Sequence, residues 1–200
     1  MAKKILLALI IIIILVFLAF FMLDNNTVHV FNDGENITVE THSISNVDIG
    51  LFNEEVCDLT LNVMNDTTSN ITTLRSGIEK LCMEYGIDDA EITIDSSIGA
   101  DQIPLLVHVD GTSMLPTLKD GQTVLVNKTH DVHVGDIVVA ESDEYGGVIK
   151  RVDNIQGDSI HLVSDNKNIA YEFINGELYE VKGITTWVDF SDVNGVVIDY

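Results

Sequence analysis

The chain reads as a mainly β domain that carries an N-terminal transmembrane helix and a small insert made of a β-hairpin and α-helices. Three observations predict this. The segment from Ile5 to Leu23 contains no charged residue. A helix-period stretch lies between Asn53 and Gly86. From Glu91 onward, short Val/Ile-rich runs alternate with Gly-Asp, Asp-Gly and Asn-Gly turns, the pattern of β-sandwiches and barrels. The expected organisation is a cytoplasmic tip and anchor over 1–24, an extracytoplasmic hairpin and helical spacer over 25–95, and the β domain over 96–200.

At 1.5 Å per residue, a helix from Ile5 to Leu23 is about 28 Å long, against roughly 30 Å of bilayer hydrocarbon. A secretory signal has a shorter apolar stretch and a small-x-small cleavage site. Here the exit is Phe20-Phe21-Met22-Leu23-Asp24, with no small pair. An uncleaved, single-pass anchor in the cell membrane is expected. Lys3 and Lys4 precede it and acidic residues follow, which places the N-terminus in the cytoplasm and the C-terminal domain outside. Asn-x-Ser/Thr sequons at Asn25, Asn36, Asn65, Asn70 and Asn127 all follow the anchor, though an Asn- and Thr-rich chain produces such triplets by chance.

Charge narrows the partners. The chain holds 10 Lys and Arg against 32 Asp and Glu, a net charge of −22. Nucleic-acid binding draws on basic residues neutralising phosphates, so no nucleic-acid partner is expected. A basic face for anionic lipid is excluded as well, leaving residues 5–23 as the expected contact with the bilayer.

After the anchor, Val28–Phe31 and Ile37–Thr41 alternate around Asn32-Asp33-Gly34, which predicts a β-hairpin. Asn53 can cap a helix over Glu54–Met64, with Cys57, Leu61 and Met64 on one face. A second helix from about Ser69 to Tyr85 would bury Leu74, Ile78, Leu81 and Cys82 and stop at Gly86. An αα-hairpin turning over Asn65–Asn70 would set Cys57 and Cys82 at matching heights. A disulfide and two buried free thiols both fit. Strands are expected at Ile103–Val109, Thr123–Asn127, Asp136–Ala140, Gly147–Val152, Ser159–Val163 and Glu180–Val188.

Two short segments carry candidate chemistry. In Gly111-Thr112-Ser113-Met114-Leu115-Pro116, a glycine frees the backbone before a serine and a proline stiffens the exit. Such a turn can aim amide N–H groups at one point beside Ser113, although a serine in a glycine turn is also ordinary turn chemistry. Serine needs a base to become a nucleophile. Lys150, in mid-strand within Gly147-Val148-Ile149-Lys150-Arg151-Val152, either faces solvent or faces the core. In the core, desolvation would lower its pKa from about 10.4 and make it a usable base.

The two segments belong to a longer series. Gly-Thr-Ser-Met-Leu-Pro-Thr-Leu (111–118), Asp120-Gly121-Gln122-Thr123-Val124-Leu125-Val126, Gly135-Asp136-Ile137-Val138-Val139 and Lys150-Arg151-Val152 with Gly157-Asp158 fall in order. This series resembles the conserved boxes of the Ser/Lys (S24/S26) peptidase clan, which includes type I signal peptidases and the self-cleaving LexA/UmuD-type proteins. The resemblance covers Ile103 to Val163 and implies a β-rich, partly barrel-like fold. It implies Ser113 as nucleophile, Lys150 as general base, and Thr112, Met114 and Arg151 as support for the oxyanion site or the fold. It also implies that the Ile103–Val109 strand pairs with an extended substrate, and that neither cofactor nor metal takes part. Residues 96–200 would then be the peptidase domain.

Departures from the signal-peptidase pattern are specific. Bacterial signal peptidases have a hydroxyl residue two before the nucleophile, where this chain has Gly111, as LexA-type proteins do. The Ser113–Lys150 spacing of 37 is the compact interval of the LexA type. Archaeal and endoplasmic-reticulum enzymes carry histidine in place of Lys150. The late serine box is echoed by Ser164-Asp165-Asn166, with Ser164 as a candidate to orient the lysine. His130, Asp131 and His133 lack a third convergent ligand, so they read as loop residues rather than a metal site.

Three functions are expected in descending order. The first is a membrane-bound endopeptidase, similar to signal peptidase I, that cleaves exported precursor proteins or peptides. The second is LexA-type cleavage of its own chain or a partner. The third is a non-catalytic surface interaction protein on the same fold.

Overall fold

The computed structural model describes residues 12–13, 25–168, 170–174, 177–181 and 183–200. The anchor expected over 5–23 therefore lies outside the described residues, apart from Ile12 and Ile13. Among the described residues no helix is long and apolar enough to cross a membrane.

The hairpin forms as its alternation predicts. Strands β1 (Thr27–Asn32) and β2 (Ile37–His42) pair antiparallel around a turn in which the Asp33 carboxylate accepts the amides of Glu35 and Asn36. Strand β3 (Glu91–Ser96) then runs parallel to β1, giving the order β2-β1-β3. A parallel return needs a crossover. Helices α1 (Ile49–Asn65) and α2 (Ile71–Tyr85) supply it.

The first helix departs from expectation at its start and on its buried face, whereas the second ends where it is expected to. Helix α1 starts a turn earlier than the reading from Asn53, because the Asp48 side chain accepts the Leu51 amide. Asn53 instead donates to the Val39 carbonyl on β2. The buried stripe is Phe52, Val56, Thr60 and Val63, so Leu61 is exposed rather than in the core. Helix α2 begins with a capping box of Asn70 and Thr73 and ends at Gly86 in the left-handed conformation, φ +68°. The two thiols are free. Cys57 faces the Ile37 carbonyl of β2 while Cys82 is buried in the core, so helix rotation separates what matching heights would have joined.

A seven-stranded sheet makes up the rest. Its strands are β4 (Pro104–His108), β5 (Thr123–Asn127), β6 (Ile137–Ser142), β7 (Gly146–Gln156), β8 (Ser159–Val163), β11 (Thr185–Asp189) and β12 (Val193–Asp199). Their order is β11-β8-β7-β6-β12-β5-β4, with every pairing antiparallel. The single strand expected over Glu180–Val188 is two elements. β10 (Glu177–Val181) pairs with β9 (Ala170–Ile174) as a separate hairpin, and β11 joins β8.

One apolar cluster links the two parts of the molecule. It runs from Val28, Phe52 and Ile78 through Ile103 and Leu105 to Met114, Leu118 and Val126. Burial of this kind contributes about 25 cal/mol per Å² of apolar surface. The buried side chains Met114 and Leu118 of the loop that carries Ser113 thus belong to the same apolar cluster as the core of the helical insert.

Candidate active site

The loop from Val109 to Gln122 connects β4 to β5, and Ser113 sits in it. Its base is closed by the Val109 amide on the Gln122 carbonyl (2.8 Å) and the Gly121 amide on the Val109 carbonyl (2.9 Å). Gly111 has φ +86°, a backbone state that L side chains reach only at a cost, and its amide donates to Asp120 Oδ1 at 2.8 Å. Met114 and Leu118 are fully buried and pin the loop from beneath. Ser113, between them and the turn, faces an open cleft of about 670 Å³. Val107 and His108 of β4, Val148 and Ile149 of β7, and Tyr145 line its walls.

Lys150 reaches this cleft from β7. Successive side chains on a strand point to opposite faces, so Lys150 turns inward while Arg151 turns away. Lys150 is 3% exposed. Its Nζ donates to Ser113 Oγ at 2.9 Å and to the Ile149 carbonyl at 3.0 Å. Burial lowers its pKa below the ordinary lysine value. Among the described residues no carboxylate pairs with it, in a chain that has 32 of them. That isolation matters, because a nearby anion would favour the charged form.

Arg151, expected as support, makes a bidentate ion pair with Asp165: Nε to Oδ1 at 2.7 Å and Nη2 to Oδ2 at 2.6 Å. Its third arm donates to the Gly135 carbonyl. The Arg151 guanidinium, joined by the Thr117 hydroxyl at 2.6 Å, holds the Asp165 carboxyl below the usual carboxylate range. Asp165 therefore ties the lysine strand to the serine loop. Asn166 completes the tie. Its amide donates to the Ser113 carbonyl at 2.9 Å and its side chain Nδ2 to the Thr112 carbonyl at 2.9 Å. Thr112 itself is exposed and contributes through that carbonyl.

Ser164 does not orient the lysine. Its hydroxyl donates to the Ile184 carbonyl at 3.1 Å, which anchors the turn that follows β8. The roles of Asp165, Asn166 and Thr117 escape a sequence reading, because a Ser-Asp-Asn run after a strand has the composition of any turn. The histidines separate: His130 contacts the Thr67 carbonyl, and His133 lies near Asp131 and Asp136 on the surface. His161 stacks on Trp187 and bonds Asp153.

A family model described as Peptidase S24-like matches residues 71–186, more than half of the chain. The chain belongs to the S24-like peptidase family. The match takes in the Ser113 loop, Lys150 and the Asp165–Asn166 turn, and it begins within the helical insert. Signal peptidase I U of Bacillus subtilis (strain 168) is 35% identical over 94 residues, covering 41% of this chain and 50% of that protein. The LexA repressor of Photobacterium profundum is 35% identical over 78 residues, covering 38% and 40%. Signal peptidase IB of Staphylococcus aureus is 34% identical over 73 residues, covering 34% and 36%. The chain thus spans half or less of the length of these relatives. Membership and the two kinds of relative support a peptidase in general terms.

Proposed function

We propose that the chain is a membrane-bound serine endopeptidase, similar to signal peptidase I, that cuts exported precursor proteins with a Ser113/Lys150 dyad. The observation that carries this reading is a buried lysine, unpaired by any described carboxylate, donating to the serine hydroxyl at 2.9 Å. In the reaction, neutral Lys150 accepts the Ser113 proton as Oγ bonds to the scissile carbonyl carbon. The carbonyl oxygen becomes an oxyanion held by the Ser113 amide. Collapse breaks the C–N bond, and the Lys150 ammonium returns the proton to the leaving amine. Lys150 then takes a proton from the water that attacks the ester and hands it to Ser113 Oγ as the acyl C–Oγ bond breaks, which releases the acid product and restores both groups. Met114 supports the nucleophile from beneath, Arg151 holds the strand register, and Thr112 contributes the carbonyl that orients the adjacent amide.

An extended substrate would add to the outer edge of β4, whose one partner among the described strands is β5. Residues 1–24 would anchor the chain with its N-terminus in the cytoplasm, and 25–95 would space the peptidase domain of 96–200 from the bilayer. Holding the site near the membrane exit of a precursor raises its effective concentration. Gly111 and the 37-residue Ser–Lys spacing favour a second reading, LexA-type cleavage of its own chain or a partner. The test is incubation of the full chain in detergent with precursor peptides bearing small residues at −1 and −3. Cleavage that survives Ser113→Ala or Lys150→Ala would remove the dyad, and self-cleavage without peptide cleavage would favour the second reading.

A further inference from the structure

We propose that Asn166 is a positioning residue that aims the Ser113 amide at the oxyanion. This rests on the peptidase reading above and adds a residue to its machinery. A peptide unit is planar and trans, so its C=O and N–H point in opposite directions. The Thr112 carbonyl and the Ser113 N–H belong to one such unit. Asn166 Nδ2 donates to the Thr112 oxygen at 2.9 Å, the shorter of that oxygen's two bonds beside the Leu115 amide at 3.2 Å, and the pair turns the Ser113 N–H the other way. The Asn166 backbone amide grips the Ser113 carbonyl, also at 2.9 Å, and so fixes the next unit, which contains the Met114 N–H. Neither the Ser113 nor the Met114 N–H meets an acceptor among the described residues.

The need for this grip comes from Gly111. With no side chain at 111 to add a donor, more of the oxyanion's stabilisation falls to backbone amides, which act only if held in place before the reaction. The clamp is itself held. Thr117 and Arg151 fix Asp165, and the Ile184 carbonyl receives both the amide and the hydroxyl of Ser164. Gly183 packs so closely that a Cβ there would come within 2.8 Å of the Asn166 carbonyl oxygen.

The test uses the full chain in detergent, a cleavable precursor peptide and a peptide aldehyde, which forms a tetrahedral adduct with the serine. Asn166→Asp keeps the backbone bond and replaces the gripping donor with an acceptor; Asn166→Ala deletes it. Both are expected to lower kcat about 10- to 100-fold, less than the roughly 10²–10³ seen when an oxyanion donor is removed outright. KM should stay within about twofold, the aldehyde Ki should rise in parallel with the loss in kcat/KM, and the acid limb of the pH profile should not move. Gly183→Ala, which displaces the clamp without deleting a polar group, should give the same signature if Asn166 variants fold poorly. Rates within twofold of wild type would overturn the proposal. So would a loss confined to melting temperature, or one accompanied by a shifted acid limb. Ser113→Ala separates the layers: if it cleaves normally, the peptidase reading and this proposal fall together, whereas its inactivity beside a fully active Asn166→Asp removes the positioning role alone.

Discussion

Lys150 meets the Ser113 hydroxyl at 2.9 Å from a strand position that is 3% exposed, and its only other hydrogen bond among the described residues goes to the Ile149 carbonyl. A charged ammonium held this way gives up most of its hydration and gains no ion pair from them in return. Burial therefore shifts Lys150 toward the neutral amine relative to a solvated lysine, next to the hydroxyl proposed as the nucleophile.

Replacing Lys150 with Ala is expected to lower peptide cleavage by about 10²–10⁴, the range for a general base. Lys150→Arg should not restore it, because guanidinium stays protonated. In the wild type, kcat/KM should rise with pH as Lys150 deprotonates, with an apparent pKa below about 10.4. Initial rates across a pH series check both points.

The same burial should make Lys150 a source of instability. A base whose pKa is lowered on folding binds fewer protons folded than unfolded, so stability rises with pH between the two pKa values and levels off above about 10.4. Lys150→Met is expected to be more stable than wild type by about 1 kcal/mol or more at neutral pH, since each pKa unit lost on folding costs about 1.4 kcal/mol. The gap should shrink as pH rises through that window. Denaturant titrations at several pH values measure it.

Asp165→Asn should destabilise the fold by about 1–3 kcal/mol at pH 7, since it removes two charge-assisted bonds from Arg151. The native carboxyl has a lowered pKa, so its contribution is complete above about 3.9 and is lost as pH falls through the folded value. Wild type and variant should therefore converge in acid.

Gly195→Ala should cost about 1–3 kcal/mol through overpacking. An added Cβ would collide with the Asn127 carbonyl oxygen of β5. Urea unfolding of the two proteins compares them directly.

Without reductant, alkylation of the unfolded chain should add two groups by mass, because Cys57 and Cys82 are free. In the folded chain the half-buried Cys57 should react before the buried Cys82, with both slowed because burial pushes their thiols up. A mass lower by two hydrogens before alkylation would overturn this.

Much of the fold was legible along the chain. β5 and β8 occupy the expected residues, and Gly86 ends α2 as read, since alternation and left-handed caps are local properties. β12 was not legible. Its Asn194-Gly195 has the form of a turn, yet Gly195 sits at a register shift mid-strand, where the β5 backbone approaches too closely for any side chain. The α1 stripe lies one position from the reading, on Val56, Thr60 and Val63, because packing against the sheet and α2 rather than local period selects the buried face, which exchanges Leu61 for Thr60 in the core.

The order of motifs alone determined the family, the nucleophile candidate and its lysine, because each depends on residue type and spacing. Only the tertiary structure decided that Lys150 faces inward and has no described anionic partner, and that Asp165 and Asn166 grip the serine loop. Those facts depend on which strands become neighbours. Asp165 and Asn166 follow β8, and pairing of β8 with β7 brings them to Arg151 and to Thr117 of the serine loop, 48 residues before Asp165. Burial and neighbour charge are properties of that packing, and they are what turns a strand lysine into a candidate base.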